Sequence, residues 1–145
     1  MDEDLVVWND SYSVEYAAID DQHKGLVSMI NELIKGSKEG GTAADSSLMD
    51  VFEKTVEYAR THFTDEEKIL TEVVYPELET QKKQHHQFMF EVVNIITEVE
   101  SGKTAPIDMA IFLRKWLMNH IVASDKLYMP YLKKKGLKGF ETFLK

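Results

Sequence analysis

Residues 48–73, LMDVFEKTVEYARTHFTDEEKILTEV, decide the fold. A stripe through Leu48, Val51, Phe52, Thr55, Ala59, His62, Glu66, Ile69 and Val73 recurs at the spacing of an α-helix. Such a stripe is the face a helix buries, yet here it carries a histidine and a carboxylate one turn apart. Burying both groups costs free energy unless something compensates them.

The same pattern repeats on either side. Upstream, Leu26, Val27, Ile30, Leu33 and Ile34 follow the 3.6-residue period, and His23 extends that stripe by one turn. Asp20 or Asp21 is the expected cap of this helix, and Gly36, Gly40 and Gly41 are its expected end, with Thr42 or Asp45 capping the next. Downstream, after a short break near Val74 and Tyr75, Pro76 fits the first turn of a third helix. Its stripe runs through Leu78, Gln81, His85, Phe88, Val92, Ile95, Ile96 and Val99 to a stop at Gly102. Thr104 and Pro106 open a fourth helix with Ile107, Ala110, Leu117, His120 and Ile121 inward, and Pro130 is expected to interrupt the helix beyond it. Four amphipathic segments without a strand period predict an all-α, up-down-up-down four-helix bundle. The expected organisation is one domain over 1–145. An extended arm covers 1–19 with Trp8, Tyr12 and Tyr16, the bundle covers 20–129, and a capping segment over 130–145 carries Leu137, Phe140 and Phe143.

Composition narrows the chemistry. With 145 residues the chain can bury a core of its own, and with no cysteine it can form neither disulfides nor thiolate metal sites. Nitrogen and oxygen remain as metal donors. A net charge of −8 argues against nucleic acid as a partner, and Lys133, Lys134 and Lys135 read as a solvated helix end. The opening MDEDLVVWND lacks the basic and apolar regions of a signal peptide, and no stretch has the length and apolarity of a membrane span. The expectation is a cytoplasmic protein with no membrane partner; the sequence names no protein partner.

His23, His62, His85 and His120 thus lie on the buried stripes of four different helices, and Glu66 and Asp125 lie downstream of two of them. Lone core histidines are common, but four that coincide with two acids describe a cation site between helices. His86 lies about 100° round from His85 and faces outward. Asp125 is the misfit: five residues beyond His120 sweep about 500°, some 140° out of line. It reaches the site only if the helix ends, or carries a π-type bulge, near Ala123 and Ser124.

The segments Trp8–Val14, Ile19–Leu26 (IDDQHKGL), His62–Glu67 (HFTDEE), Tyr75-Pro76, His85–Phe88 (HHQF) and His120–Asp125 (HIVASD) resemble the hemerythrin family in its bacterial single-domain form, over nearly the whole chain. The resemblance implies two iron ions, a non-haem, oxo- or hydroxo-bridged di-iron centre. By position, His23 and His62 match the ligands of the iron that keeps an open site, Glu66 and Asp125 the bridges, and His85 and His120 two of three histidines on the other iron. The third position holds Gln81, a weaker neutral donor. Gln81 either ligates through oxygen, lies beside a metal-bound water, or marks loss of that metal. Leu70 stands where the family often has methionine.

The implied function is dioxygen binding for carriage, storage, delivery or sensing, with Leu117 and Ile121 as apolar walls of the ligand pocket. Azide, nitric oxide and peroxide are the other small ligands the resemblance implies. An alternative is a di-iron enzyme that reduces peroxide, dioxygen or nitric oxide, or oxidises iron. Gln81 favours it, because a missing imidazole could open a second coordination position.

Overall fold

Ile19, His23, Leu26, Val27, Ile30, Leu33 and Ile34 share the buried face of a helix over Ala17–Lys38, α1. The stripe around His62 forms α2, Ser46–Glu72, that around His85 forms α3, Leu78–Glu100, and that around His120 forms α4, Pro106–Ala123. The computed structural model describes residues 4–39 and 46–137, with no strand among them. α1 packs on α2 and α4, and α3 packs on the same two, which closes the expected all-α four-helix bundle. No described helix is long and apolar enough to cross a membrane.

The apolar core is divided. A larger cluster gathers Leu26, Ile30, Phe52, Phe63, Phe88, Leu113 and Leu117; a smaller one gathers Tyr16, Ile19, Ile69, Leu70, Tyr75, Tyr128 and Leu132. Along each helix the polar stripe residues fall between the two. His23 comes after Ile19 and before Leu26, while His62 and Glu66 lie between Ala59 and Ile69. Gln81 and His85 lie between Leu78 and Phe88, and His120 and Asp125 between Leu117 and Tyr128. A polar layer therefore crosses the bundle at one height, held by apolar contacts above and below. Each fully buried Leu or Phe there contributes about 2 kcal/mol.

Several helix ends differ from expectation. α1 starts at Ala17, with Tyr16 as a cap that makes no side-chain capping bond, so neither Asp20 nor Asp21 caps it. Complete burial of Tyr16 and Ile19 carries the helix past the acids. Asp20 instead pins the arm, accepting from Ser13 Oγ at 2.5 Å and from the Val14 amide at 2.9 Å. The arm itself is not wholly extended, since Asp10–Tyr12 form a 3₁₀ turn capped by Asn9. Gly36 does not end α1. A Cβ there would lie 3.1 Å from Leu48 Cδ1, so glycine serves the close approach of α2. Thr42, Asp45, Gly40, Gly41, Phe140 and Phe143 lie outside the described residues.

Pro76 sits in the turn before α3, not in its first turn. Tyr75, buried in the smaller cluster, donates its amide to Leu70 O at 2.9 Å and so belongs to the end of α2. Pro106 does occupy the first residue of α4, but Ala105 is the cap, and Thr104 Oγ1 donates to Glu98 instead. After α4 a 3₁₀ turn, Asp125–Tyr128, leads into α5, Met129–Lys134. Pro130 lies in the first turn of α5 and starts a helix where it was expected to break one.

α2, α3 and α5 all end in the same motif, a 6→1 amide bond paired with a 5→2 bond. It requires a left-handed residue, and α3 and α5 supply Gly102 (φ 80°) and Gly136 (φ 70°). α2 supplies Val74 (φ 52°), a β-branched residue under strain. Val74 is 77% exposed, so little packing is lost on replacing it. Val74→Gly is expected to stabilise the protein by about 1 kcal/mol in urea unfolding.

Candidate metal centre

His23 comes from the second turn of α1, His62 and Glu66 from one face of α2, His85 from α3 and His120 from the last turn of α4. Asp125 joins them because α4 ends at Ala123 and the 3₁₀ turn re-aims the chain. Of the two routes open to Asp125, the helix end is therefore the one used, and no π-bulge forms. All six residues are at most 5% exposed. His86 faces solvent, as its angle predicts.

The imidazoles meet in pairs. His23 Nε2 lies 3.0 Å from His62 Nε2, and His85 Nε2 lies 3.2 Å from His120 Nε2. The two carboxylates span the pairs. Glu66 Oε1 is 3.0 Å from His85 Nε2, while its Oε2 is 3.5 Å from His62 Nε2 and 3.9 Å from His23 Nε2. Asp125 Oδ1 is 3.1 Å from His120 Nε2 and its Oδ2 is 3.2 Å from His23 Nε2. Metal–nitrogen bonds of about 2.1 Å put neighbouring donors about 3 Å apart, which is the spacing seen. Two overlapping donor groups result: His23, His62, Glu66 and Asp125, and Glu66, His85 and His120.

Hydrogen bonds from behind set the tautomers. His62 Nδ1 lies 2.6 Å from Gln22 Oε1, and Gln22 is oriented by donating its Nε2 to Asp65 Oδ2 at 2.9 Å. His85 Nδ1 lies 2.7 Å from Glu67 Oε2. Both partners only accept, so each ring carries its proton on Nδ1 and turns a lone pair inward from Nε2. For His85 that lone pair faces a carboxylate oxygen, Glu66 Oε1, at 3.0 Å. Glu66 Oε1 and Asp125 Oδ2 are both buried without a hydrogen bond of good geometry. Acceptors this close need a cation or a proton between them, so the donor set fits a metal.

Without a metal, protons must do that work. Burial, and then the facing Asp125 carboxylate, raise the Glu66 carboxyl, with His85 pulling it part of the way back. Burial also pushes Asp125 up, but His120 and then His23 outweigh it and hold Asp125 well below the usual carboxylate range. Burial and the neighbouring His23 keep His62 well below an ordinary histidine. His120 loses by burial and gains more from Asp125, so it is raised. Tyr128, raised well above an ordinary tyrosine by burial and then by the Glu66 and Asp125 charges, stays a donor and gives its hydroxyl to Glu66 Oε2 at 2.8 Å.

Gln81 is buried at the layer and donates Nε2 to Asp125 Oδ1 at 3.2 Å, while its Oε1 has no partner. Leu117 and Ile121, which flank His120 in sequence, are both buried. Gln22, Asp65, Glu67 and Tyr128 went unrecognised in the sequence. Three of them adjoin stripe residues, which is a usable signal, but only tertiary pairing shows that they orient a ring. Phe63 also went unrecognised: one step off the stripe, it stacks on His85 with ring centroids 4.0 Å apart.

The family model described as "Hemerythrin HHE cation binding domain" matches residues 14–132. A bacteriohemerythrin of Stenotrophomonas maltophilia is 29% identical over 129 residues, covering 89% of this chain and 82% of its own. A myohemerythrin of Theromyzon tessulatum is 31% identical over 124 residues, covering 83% and 88%. A crystal structure of wild-type hemerythrin superposes with a TM-score of 0.79 at 27% identity, covering 88% of this chain and 98% of that one.

Two outcomes are expected. A carboxyl raised by folding stabilises below its ordinary value of 4.5, and that stability is lost as pH rises through the folded value. Metal-free wild type should therefore lose stability relative to Glu66→Gln between acid and neutral pH, as urea unfolding at both pH values will measure. Glu67→Ala, which frees the His85 ring, should lower affinity for a divalent ion by about 10–100-fold in competition with a chelator.

Proposed function

The chain belongs to the hemerythrin family, and from that premise we propose that it is a non-haem di-iron protein that binds dioxygen in the core of its bundle. His23 and His62 would hold one iron and His85 and His120 the other, with Glu66 and Asp125 shared between them. One observation carries this reading: each carboxylate turns one oxygen toward each histidine pair. Thiolate-free nitrogen and oxygen donors with unfilled positions suit iron that takes up a further ligand.

Two iron ions held by these residues would supply the two electrons that dioxygen takes on binding. Everything else falls to the protein. Gln22 and Glu67 hold His62 and His85 in the ligating tautomer. Tyr128 fixes Glu66 and remains protonated beside it. Leu117 and Ile121 line the ligand pocket and keep bulk water from the irons, which favours reversible binding over loss of electrons to solvent. A separate cavity of about 140 Å³, lined by Gln22, Tyr58, Thr61 and His62, lies behind the His62 ring.

A second reading, a di-iron enzyme that reduces peroxide, dioxygen or nitric oxide or oxidises iron, is favoured by Gln81, whose carbonyl oxygen has no partner. The life of the oxygenated species separates the two: long and reversible in a binder, short and reductant-consuming in an enzyme.

Purified or reconstituted protein should contain about two irons per chain and show a visible band that appears with oxygen and fades on its removal. One iron or fewer, or zinc alone, would sink the assignment.

A further inference from the structure

Gln81 stands one turn before His85 on α3, and the Asp125 oxygen that accepts its Nε2 at 3.2 Å is the one 3.1 Å from His120 Nε2. Its side chain therefore converges on the His85/His120 side of the layer. Its Oε1 is buried and unpartnered, and so is Gln84 Oε1, one residue before His85. Two buried amide oxygens without a donor call for a donor from outside the protein.

The structure provides a way in. A cavity of about 190 Å³ reaches Gln81 between Thr80, Gln84, Ser124 and Leu127. Another, of about 220 Å³, reaches His120 between Gln84, Asn119 and Ser124. Gln84 and Ser124 line both cavities. Each is large enough for several waters, and its walls carry groups that can bond to them. Neither cavity is lined by His23 or His62.

The donor count points the same way. The His85/His120 side has two imidazoles and the oxygens turned toward it by Glu66 and Asp125. Iron bound through nitrogen and oxygen accepts more ligands than that. Gln81 has its amide nitrogen engaged by Asp125 on that side, and its Oε1 is left free for a further group.

We propose that the metal position beside His85 and His120 has its own exchangeable-ligand site, which takes water or hydroxide and, in its place, a small anion such as azide. Gln81 is the hydrogen-bond partner of that ligand: its amide offers an oxygen to bound water or, turned over, an N–H to an anion. Gln84 and Ser124 form the entrance. The inference rests on the dinuclear reading above.

Azide titration of the diferric protein tests it, with iron measured on the same sample and binding followed by calorimetry and by visible absorption. Wild type should take about two azides per dinuclear centre, and Gln81→His about one, because a third imidazole fills the position. Gln84→Phe narrows the entrance and should slow association of one azide several-fold while leaving the other unchanged. This second variant decides the matter if Gln81→His does not fold. Two irons with a single azide in wild type, or two azides retained in Gln81→His, overturns the site while leaving the di-iron reading intact. Fewer than two irons overturns both.

Discussion

Two carboxylates and four imidazoles buried at one height of the bundle are the constraint on which the rest depends. Removing even one ion from water costs several kcal/mol, and a facing pair of carboxylates adds repulsion. The apolar clusters on either side keep water from relieving that cost. Protons can relieve it in part, which is why Glu66 is raised while Asp125, between His120 and His23, stays ionised. A pair of cations would relieve it further, because each carboxylate turns one oxygen toward each histidine pair. Metal bound at such a layer would couple to folding and to proton release.

The two halves of the layer are not equivalent. His62 is held by a neutral glutamine and His85 by a carboxylate. An anionic partner makes an imidazole a stronger donor, so Glu67 strengthens the side on which Gln81 gives no third nitrogen. Stacking adds rigidity there, with Phe63 on His85 and Trp116 on His120. The surroundings differ as well, with a cavity beside Gln22 and Tyr58 behind His62 and another beside Gln84 and Ser124 at His120.

The stripes were legible in the sequence because burial repeats every 3.6 residues, and His23, His62, His85 and His120 read as members of them. Asp125 was legible only as a misfit. Its angle was wrong for any continuous helix, and the 3₁₀ turn after Ala123 is what that error meant. Helix ends were less legible because tertiary contacts override local signals: Tyr16 and Ile19 draw α1 past Asp20, and Gly36 answers to Leu48 across the interface. Val74 gave no signal at all, since nothing about a valine announces a left-handed backbone. Gln22, Glu67 and Tyr128 were hidden for a different reason, for their roles exist only once other helices bring a ring or a carboxylate within reach.

Iron-edge anomalous diffraction from crystals of the iron-loaded protein would locate the metal ions. Two peaks should lie within the layer, one beside His23 and His62 and one beside His85 and His120, each within bonding distance of both Glu66 and Asp125. A single peak, or iron bound outside the layer, would contradict the dinuclear assignment.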